Sequence, residues 1–156
     1  MEEFAKESAP YAAKNPRIKA LAGYEDYDRG RVLEDKKDYA GAEAAYTRAL
    51  GAGDASRFRL GRGDFYWRRD RYREALEDLN RALVQRPQDT QGLYERSKVA
   101  YHLGFEASGD ERTNMFTQAY NDAELSAALD PTDEYHQEHL AFIRENLPAF
   151  APPPRQ

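Results

Sequence analysis

Asp38-Tyr39-Ala40-Gly41-Ala42-Glu43-Ala44-Ala45-Tyr46-Thr47-Arg48-Ala49-Leu50 and Arg71-Tyr72-Arg73-Glu74-Ala75-Leu76-Glu77-Asp78-Leu79-Asn80-Arg81-Ala82-Leu83 are two copies of one unit. Tyr39 corresponds to Tyr72, Ala42 to Ala75, Arg48 to Arg81, and Ala49-Leu50 to Ala82-Leu83, all at an offset of 33 residues. Gly30 and Gly63, upstream of the two stretches, keep the same offset. A fixed period of this length marks a repeat whose unit is one supersecondary element. One such unit cannot bury its apolar face alone, so neighbouring units must stack. Small residues (Gly30, Gly63, Ala42, Ala75, Ala49, Ala82) are expected where helices cross closely. Leu33, Tyr66, Tyr46 and Leu79 are expected to fill the gaps between them.

The surrounding punctuation is helical. Gly51-Ala52-Gly53-Asp54, Arg86-Pro87-Gln88-Asp89 and Asp130-Pro131-Thr132-Asp133 read as breaks, with Asp54, Asp89 and Asp133 as N-caps of the helices that follow. No alternating pattern of useful length points to a strand. The pattern predicts helices over 17–37, 39–51, 55–69, 72–85, 90–108, 111–129 and 134–147. A third unit opens on Leu93, Ser97 and Ala100 and closes on Ala119, Ala123, Ser126 and Pro131. Against the second unit it carries ten extra residues around Gly104 to Asn114. Longer helices with a bend at Ser108-Gly109-Asp110 would absorb them. The last helix is expected to cap the stack with Tyr135, Leu140, Phe142, Ile143 and Leu147. Its outer face would carry His136, Gln137, Glu138, Arg144 and Glu145.

The repeat resembles the tetratricopeptide repeat, whose pattern is W-x2-L-G-x2-Y, then A-x3-F, then P. Gly63 and Tyr66 sit on the G-x2-Y of the second unit, Ala75 on the A, Leu79 on the F and Pro87 on the P. Gly30, Leu33, Ala42, Tyr46 and Ala49 hold the equivalent places in the first unit. The opening Trp and Leu are absent from both, where Asp26 and Arg29, then Arg59 and Arg62, stand instead. The resemblance implies an all-α fold: three antiparallel helix pairs in a right-handed α-solenoid with a capping helix. The expected organisation is a flexible segment over 1–16, with Phe4 and Tyr11 as possible anchors, the repeat domain over 17–147, and an extended Pro-rich tail over 148–156.

Length and composition narrow the function. The chain has 156 residues, suited to one domain. Leu, Ile, Val and Phe make up only 25 of them, but 11 Tyr, the single Trp and many Ala supply apolar surface that this count ignores. There is no cysteine, so disulfides, thiolate metal sites and a cysteine nucleophile are excluded. No run of about 18 apolar residues suggests a membrane span. The acidic start, Met1 to Glu7, does not read as a secretory signal, so a cytoplasmic location is expected. Arg outnumbers Lys 17 to 6, a bias that leans towards a GC-rich bacterial genome.

Charge is uneven: residues 57–105 carry net +4 and residues 106–156 net −7, within a total of −5. The arginine-rich middle invites a nucleic-acid reading. The acidic total and the interspersed Asp64, Asp70, Glu74, Glu77 and Asp78 oppose it, and an acidic partner or neighbouring helices suit it better. Arg62-Gly63-Asp64 spells an integrin-recognition tripeptide, but a buried Gly63 within a helix forbids its display. His136 and His139 share a helix face beside Glu138. Their spacing is not that of the H-E-x-x-H zinc motif, and a solvated helix face is the expected reading. No metal, cofactor or catalytic residue is expected, and the chain is read as a non-enzyme.

In the family the resemblance implies, the first helix of each pair lines a concave surface. The inner row would then run through Tyr24, Tyr27, Asp28, Arg31, Glu34 and Asp35, through Arg57, Leu60, Asp64, Trp67 and Arg68, and through Gln91, Tyr94, Glu95, Lys98, Tyr101 and His102. Aromatic anchors with interleaved charge are typical of protein-recognition surfaces. The expected peptide-binding groove is Tyr24, Tyr27, Arg31, Leu60, Asp64, Trp67, Arg68, Tyr94, Lys98 and Tyr101. The expected function is an adaptor that binds a peptide or protein segment there, as a monomer or weak homo-oligomer. Alternatives are a scaffold module of a larger assembly or a dedicated chaperone for an exported or assembling client. Small acidic three-repeat chaperones of type III secretion do the latter, and Ser56-Arg57-Phe58-Arg59-Leu60-Gly61 is similar to their second repeat, although the long third unit departs from theirs. The family's carboxylate clamp for heat-shock chaperone C-termini uses Lys and Asn, Asn, then Lys and Arg. Tyr27, Arg31, Gly61, Gln91 and Glu95 stand in those places, so that ligand is not carried over.

Overall fold

Acidic caps start two helices where the sequence places them, at Asp89 and Asp133. A computed structural model of the chain describes residues 15–52 and 55–151. The expected cap Asp54, the anchors Phe4 and Tyr11, and the tail from Pro152 onward lie outside those residues. The described residues hold α1 (Pro16–Asp35), α2 (Tyr39–Ala49), α3 (Ala55–Arg68), α4 (Tyr72–Gln85), α5 (Thr90–Glu106), α6 (Gly109–Leu129) and α7 (Glu134–Asn146), then a 3-10 turn at Pro148–Phe150. No strand occurs among them. Asp38, Asp89 and Asp133 each accept a backbone N–H three residues on (Gly41, Gly92 and His136), at 2.9–3.0 Å. Each bond satisfies one of the free donors at a helix start. No helix among the described residues is long and apolar enough to cross a membrane.

The chain divides into two compact units, residues 1–62 and 63–156, with the division inside α3. In the first unit α1 and α2 cross at Gly30, where an added Cβ would stand 2.8 Å from the Tyr46 ring. The Tyr46 hydroxyl donates to Glu34 Oε2 at 3.0 Å, so this buried ring keeps its polar tip satisfied. Phe58 packs with Ala49 and Ala52 in the same core.

In the second unit Gly63 repeats the crossing, with an added Cβ 3.2 Å from Leu79. The buried faces of α2 and α4 superpose by number: Ala42, Ala45, Tyr46 and Ala49 against Ala75, Asp78, Leu79 and Ala82. The turns before them match as well. Lys37 and Asp70 both adopt left-handed backbone, at φ 63° and 57°. Asp38 N–H donates to Leu33 O and Arg71 N–H to Tyr66 O, each at 2.9 Å.

The third helix pair absorbs its extra residues by elongation. Helices α5 and α6 have 17 and 21 residues, against 14 each for α3 and α4. The turn between them is Ala107-Ser108, and Gly109 takes φ +56° at the start of α6. Arg112 reaches back to the end of α5, donating to Gly104 O at 3.1 Å and Ala107 O at 3.0 Å. An added Cβ at Gly104 would stand 2.3 Å from Phe116, which shows how closely the two helices approach.

Helix α7 and its C-cap pack on α6 through Leu140, Ile143 and Leu147, and His136 on the same stripe is buried with its ring 5.2 Å from that of Tyr94. This corrects the expected capping face. His136 is buried, whereas Tyr135 and Phe142 are exposed. The spacing 136, 140, 143, 147 defines one helical stripe, and Tyr135 and Phe142 each lie one residue, or about 100°, to the same side of it. Phe150, expected in the tail, instead packs its ring 5.1 Å from Phe116.

Candidate functional site

The second unit carries a stripe of aromatic rings. The C-terminal turn of α3 supplies Trp67, the start of α4 supplies Tyr72, and α5 supplies Tyr94, Tyr101, His102 and Phe105. Trp67 lies 5.3 Å from Tyr72 and 4.9 Å from His102, and Tyr72 stacks on His102 at 5.0 Å. Tyr101 continues the line, 5.8 Å from His102, 5.0 Å from Phe105 and 5.1 Å from Phe142 of α7. Trp67, Tyr72, Tyr94 and Tyr101 are half-buried, and His102, Phe105 and Phe142 are exposed. Rings held by one another and open on one side offer flat apolar surface at low entropic cost.

Lys98 crosses this stripe. Its ammonium lies 5.0 Å from the Trp67 ring centre and 4.6 Å from that of Tyr94. It also pairs with Glu95 Oε2 at 2.7 Å. Glu95 was expected on the exposed inner row but is buried, with Gln91 donating to its other oxygen at 2.7 Å. Burial pushes the Glu95 carboxyl up, against the lowering effect of Lys98. Asp64 and Arg68 pair with each other one turn apart on α3.

One arrangement here imitates a catalytic dyad. Ser97 Oγ lies 2.8 Å from His139 Nε2. The same oxygen lies 2.6 Å from Ala119 O, a group that can only accept. The single hydroxyl proton therefore goes to Ala119 O, and His139 donates from Nε2 to Ser97. The histidine cannot take a proton from that serine, and Ser97 is fully buried. Desolvation, with the nearby charges of Lys98 and His136, holds the His139 pKa down at about 4.

The remaining groove residues expected from the sequence belong to the first unit. Tyr24 is 37% exposed, with its ring 5.2 Å from Phe58 and the Arg57 guanidinium 5.3 Å above it. Tyr27 lies against Tyr46 and Phe58 at 5.4 and 6.0 Å and fills the space an added Cβ on Gly61 would need. Arg31 is exposed and Leu60 half-buried. Tyr72, Phe105, Phe142 and His139 were absent from the expected groove. The heptad step from Tyr135 to Phe142 is the one sequence signal that marked a second face on α7.

The comparisons agree with this architecture. The tetratricopeptide repeat profile matches residues 27–90 and 60–104, together half of the chain. A search of curated proteins finds no match. Among solved structures, the first such domain of Spaghetti (RPAP3) bound to the HSP90 peptide SRMEEVD is 18% identical, with a TM-score of 0.69 over 83% of this chain and 95% of that one. The Arabidopsis OM64 domain is 15% identical, with a TM-score of 0.68 over 83% and 99%. The second domain of human RPAP3, in complex with the HSP70 peptide SGPTIEEVD, is 21% identical, with a TM-score of 0.65 over 83% and 98%. At these identities the likeness concerns the fold, which is the all-α, solenoid-type repeat fold these structures share. With the 33-residue period repeated in helices, turns and buried faces, the chain belongs to the tetratricopeptide repeat family.

Proposed function

We propose that this chain is a non-enzymatic adaptor that holds a peptide or protein segment against the aromatic stripe of its second unit. The carrying observation is the line of part-exposed rings from Trp67 through Tyr72, His102 and Tyr101 to Phe142. Its anchors are Trp67, Tyr94 and Tyr101, with Asp64, Arg68 and Lys98 setting polarity along it. Tyr24, Tyr27, Arg31 and Leu60 of the first unit are assigned to recognition on the same reading, Tyr24 with the most exposed ring. Two of the similar structures hold peptides ending in EEVD. The positions matched to the family's carboxylate clamp are Tyr27, Arg31, Gly61, Gln91 and Glu95 here. Tyr27 and Gly61 close on each other, and Glu95 adds a buried acid. The preferred ligand is therefore an apolar or aromatic segment and not an acidic C-terminus.

Affinity capture with wild type beside a Trp67→Ala/Tyr101→Ala variant tests the reading, with circular dichroism to confirm that the variant folds. A partner lost only in the variant supports it. A partner kept by both removes the stripe from recognition. A stoichiometric partner that precipitates without this chain would favour the client-chaperone alternative.

A further inference from the structure

The loop between α6 and α7 brings together three side chains that the recognition surface does not use. Asp130 ends α6, Asp133 caps α7, and His136 is the third residue of α7. One carboxylate oxygen from each aspartate and one ring nitrogen of His136 all lie within 4.8 Å of one another. Two acidic groups near a turn are ordinary by themselves. The histidine is not: it is 4% exposed, and its buried Nδ1 has no hydrogen-bond partner. A buried polar atom left without a partner is costly, so its retention calls for an explanation.

We propose that Asp130, Asp133 and His136 bind one divalent transition-metal ion, zinc being the ion to which the donor set commits. Two carboxylate oxygens and one imidazole nitrogen suit zinc, whereas calcium and magnesium prefer oxygen ligands throughout. Each aspartate keeps an oxygen for the ion. Asp133 Oδ1 accepts the His136 backbone N–H at 3.0 Å, which leaves Oδ2. Asp130 Oδ1 accepts from Thr132 Oγ1 at 3.1 Å, which fixes that carboxylate and leaves its Oδ2. The Tyr94 ring, 5.2 Å from the imidazole, restrains the third ligand. Ligand bonds of about 2.0–2.2 Å place donors roughly 3–3.5 Å apart, so the side chains need close by no more than a small rotation. With three protein ligands, at least one position stays open to water. The pair His136 and His139, which share a face in the sequence, is not the site, because His139 is held by Ser97.

The test uses the full chain freed of metal with a chelator, then titrated with zinc chloride by calorimetry and by NMR of the histidine ring nitrogens. One equivalent should bind, and the His136 ring nitrogens should shift while those of His102 and His139 stay in place. Asp130→Asn and Asp133→Asn should each weaken binding by about tenfold or more. Asparagine is as good an N-cap as aspartate, so Asp133→Asn should leave the metal-free melting temperature nearly unchanged. Equal affinity for calcium, no binding up to millimolar zinc, affinity unchanged in both variants, or shifts at His102 or His139 instead of His136 would each overturn the proposal.

Discussion

Arg96 of α5 and Asp122 of α6 form a two-bond bridge across the third helix pair, Nε to Oδ2 at 2.7 Å and Nη2 to Oδ1 at 2.9 Å. Arg96 also donates to Asn80 Oδ1 at 3.0 Å, which ties in α4. The Asp122 side chain is 4% exposed. Its burial raises the carboxyl pKa more than Arg96 lowers it. The bridge therefore orders the helices more than it stabilises them, and one partner alone is a liability. Arg96→Met should cost about 3–5 kcal/mol, because it leaves a buried carboxylate unpaired. The double variant Arg96→Met/Asp122→Leu should recover most of that loss. Urea denaturation of wild type, Arg96→Met, Asp122→Leu and the double variant checks the pair through a double-mutant cycle.

Two glycines of the third pair should fail for different reasons. Gly104→Ala forces a methyl into the Phe116 ring and should cost about 1–3 kcal/mol through overpacking. Gly109→Ala meets nothing within 4 Å, but its φ of +56° disfavours any side chain. It should cost about 1 kcal/mol. In a Phe116→Leu background the cost of Gly104→Ala should fall, whereas that of Gly109→Ala should stay the same, each measured against Phe116→Leu alone. Thermal melts of wild type, Phe116→Leu and each glycine variant in both backgrounds separate the two effects.

His139 should remain neutral until the pH approaches 4. Its folded pKa lies below its unfolded value of 6.5. Its contribution is therefore complete above pH 6.5 and is lost as pH falls towards 4, because the unfolded chain takes up the proton first. The loss reaches about 3 kcal/mol at most, at 1.36 kcal/mol per pKa unit. Glu95 and Asp122 act the other way, since their raised carboxyls favour the folded state as pH falls. Stability measured against pH for wild type and His139→Gln isolates the histidine, because the carboxylates are common to both. A difference that stays constant between pH 7 and pH 4 would contradict the assignment.

Trp67 is the only tryptophan, so its fluorescence reports on the stripe directly. A bound apolar segment should change its emission, and Tyr101→Ala should weaken that ligand by about tenfold, as expected for truncating a recognition anchor. The peptide SRMEEVD, which the Spaghetti (RPAP3) domain holds, should leave the emission unchanged at millimolar concentration. Saturable binding of SRMEEVD would show that Glu95 does not exclude an acidic terminus.

The 33-residue offset, the small residues at 30, 63, 42, 75, 49 and 82, and the capping aspartates 89 and 133 were sufficient to place every described helix within a few residues. These features act locally: a cap, a turn and a helical period depend on neighbours a few positions away. They also predicted that the third pair would lengthen, since extra residues between fixed crossings have few other places to go. Which side of a helix meets water was less legible. Glu95 and His136 read as exposed polar residues and are buried, with Lys98 paired to the first and the Tyr94 ring against the second. Phe142 read as core and is exposed, because the docking stripe of α7 lies one residue aside. His136 and His139 looked alike in sequence, and only packing sends one to the loop aspartates and the other to Ser97. Local sequence thus determined the helices and their repeat. The tertiary structure decided the chemistry, because burial, pairing and pKa depend on groups that meet across helices far apart in the chain.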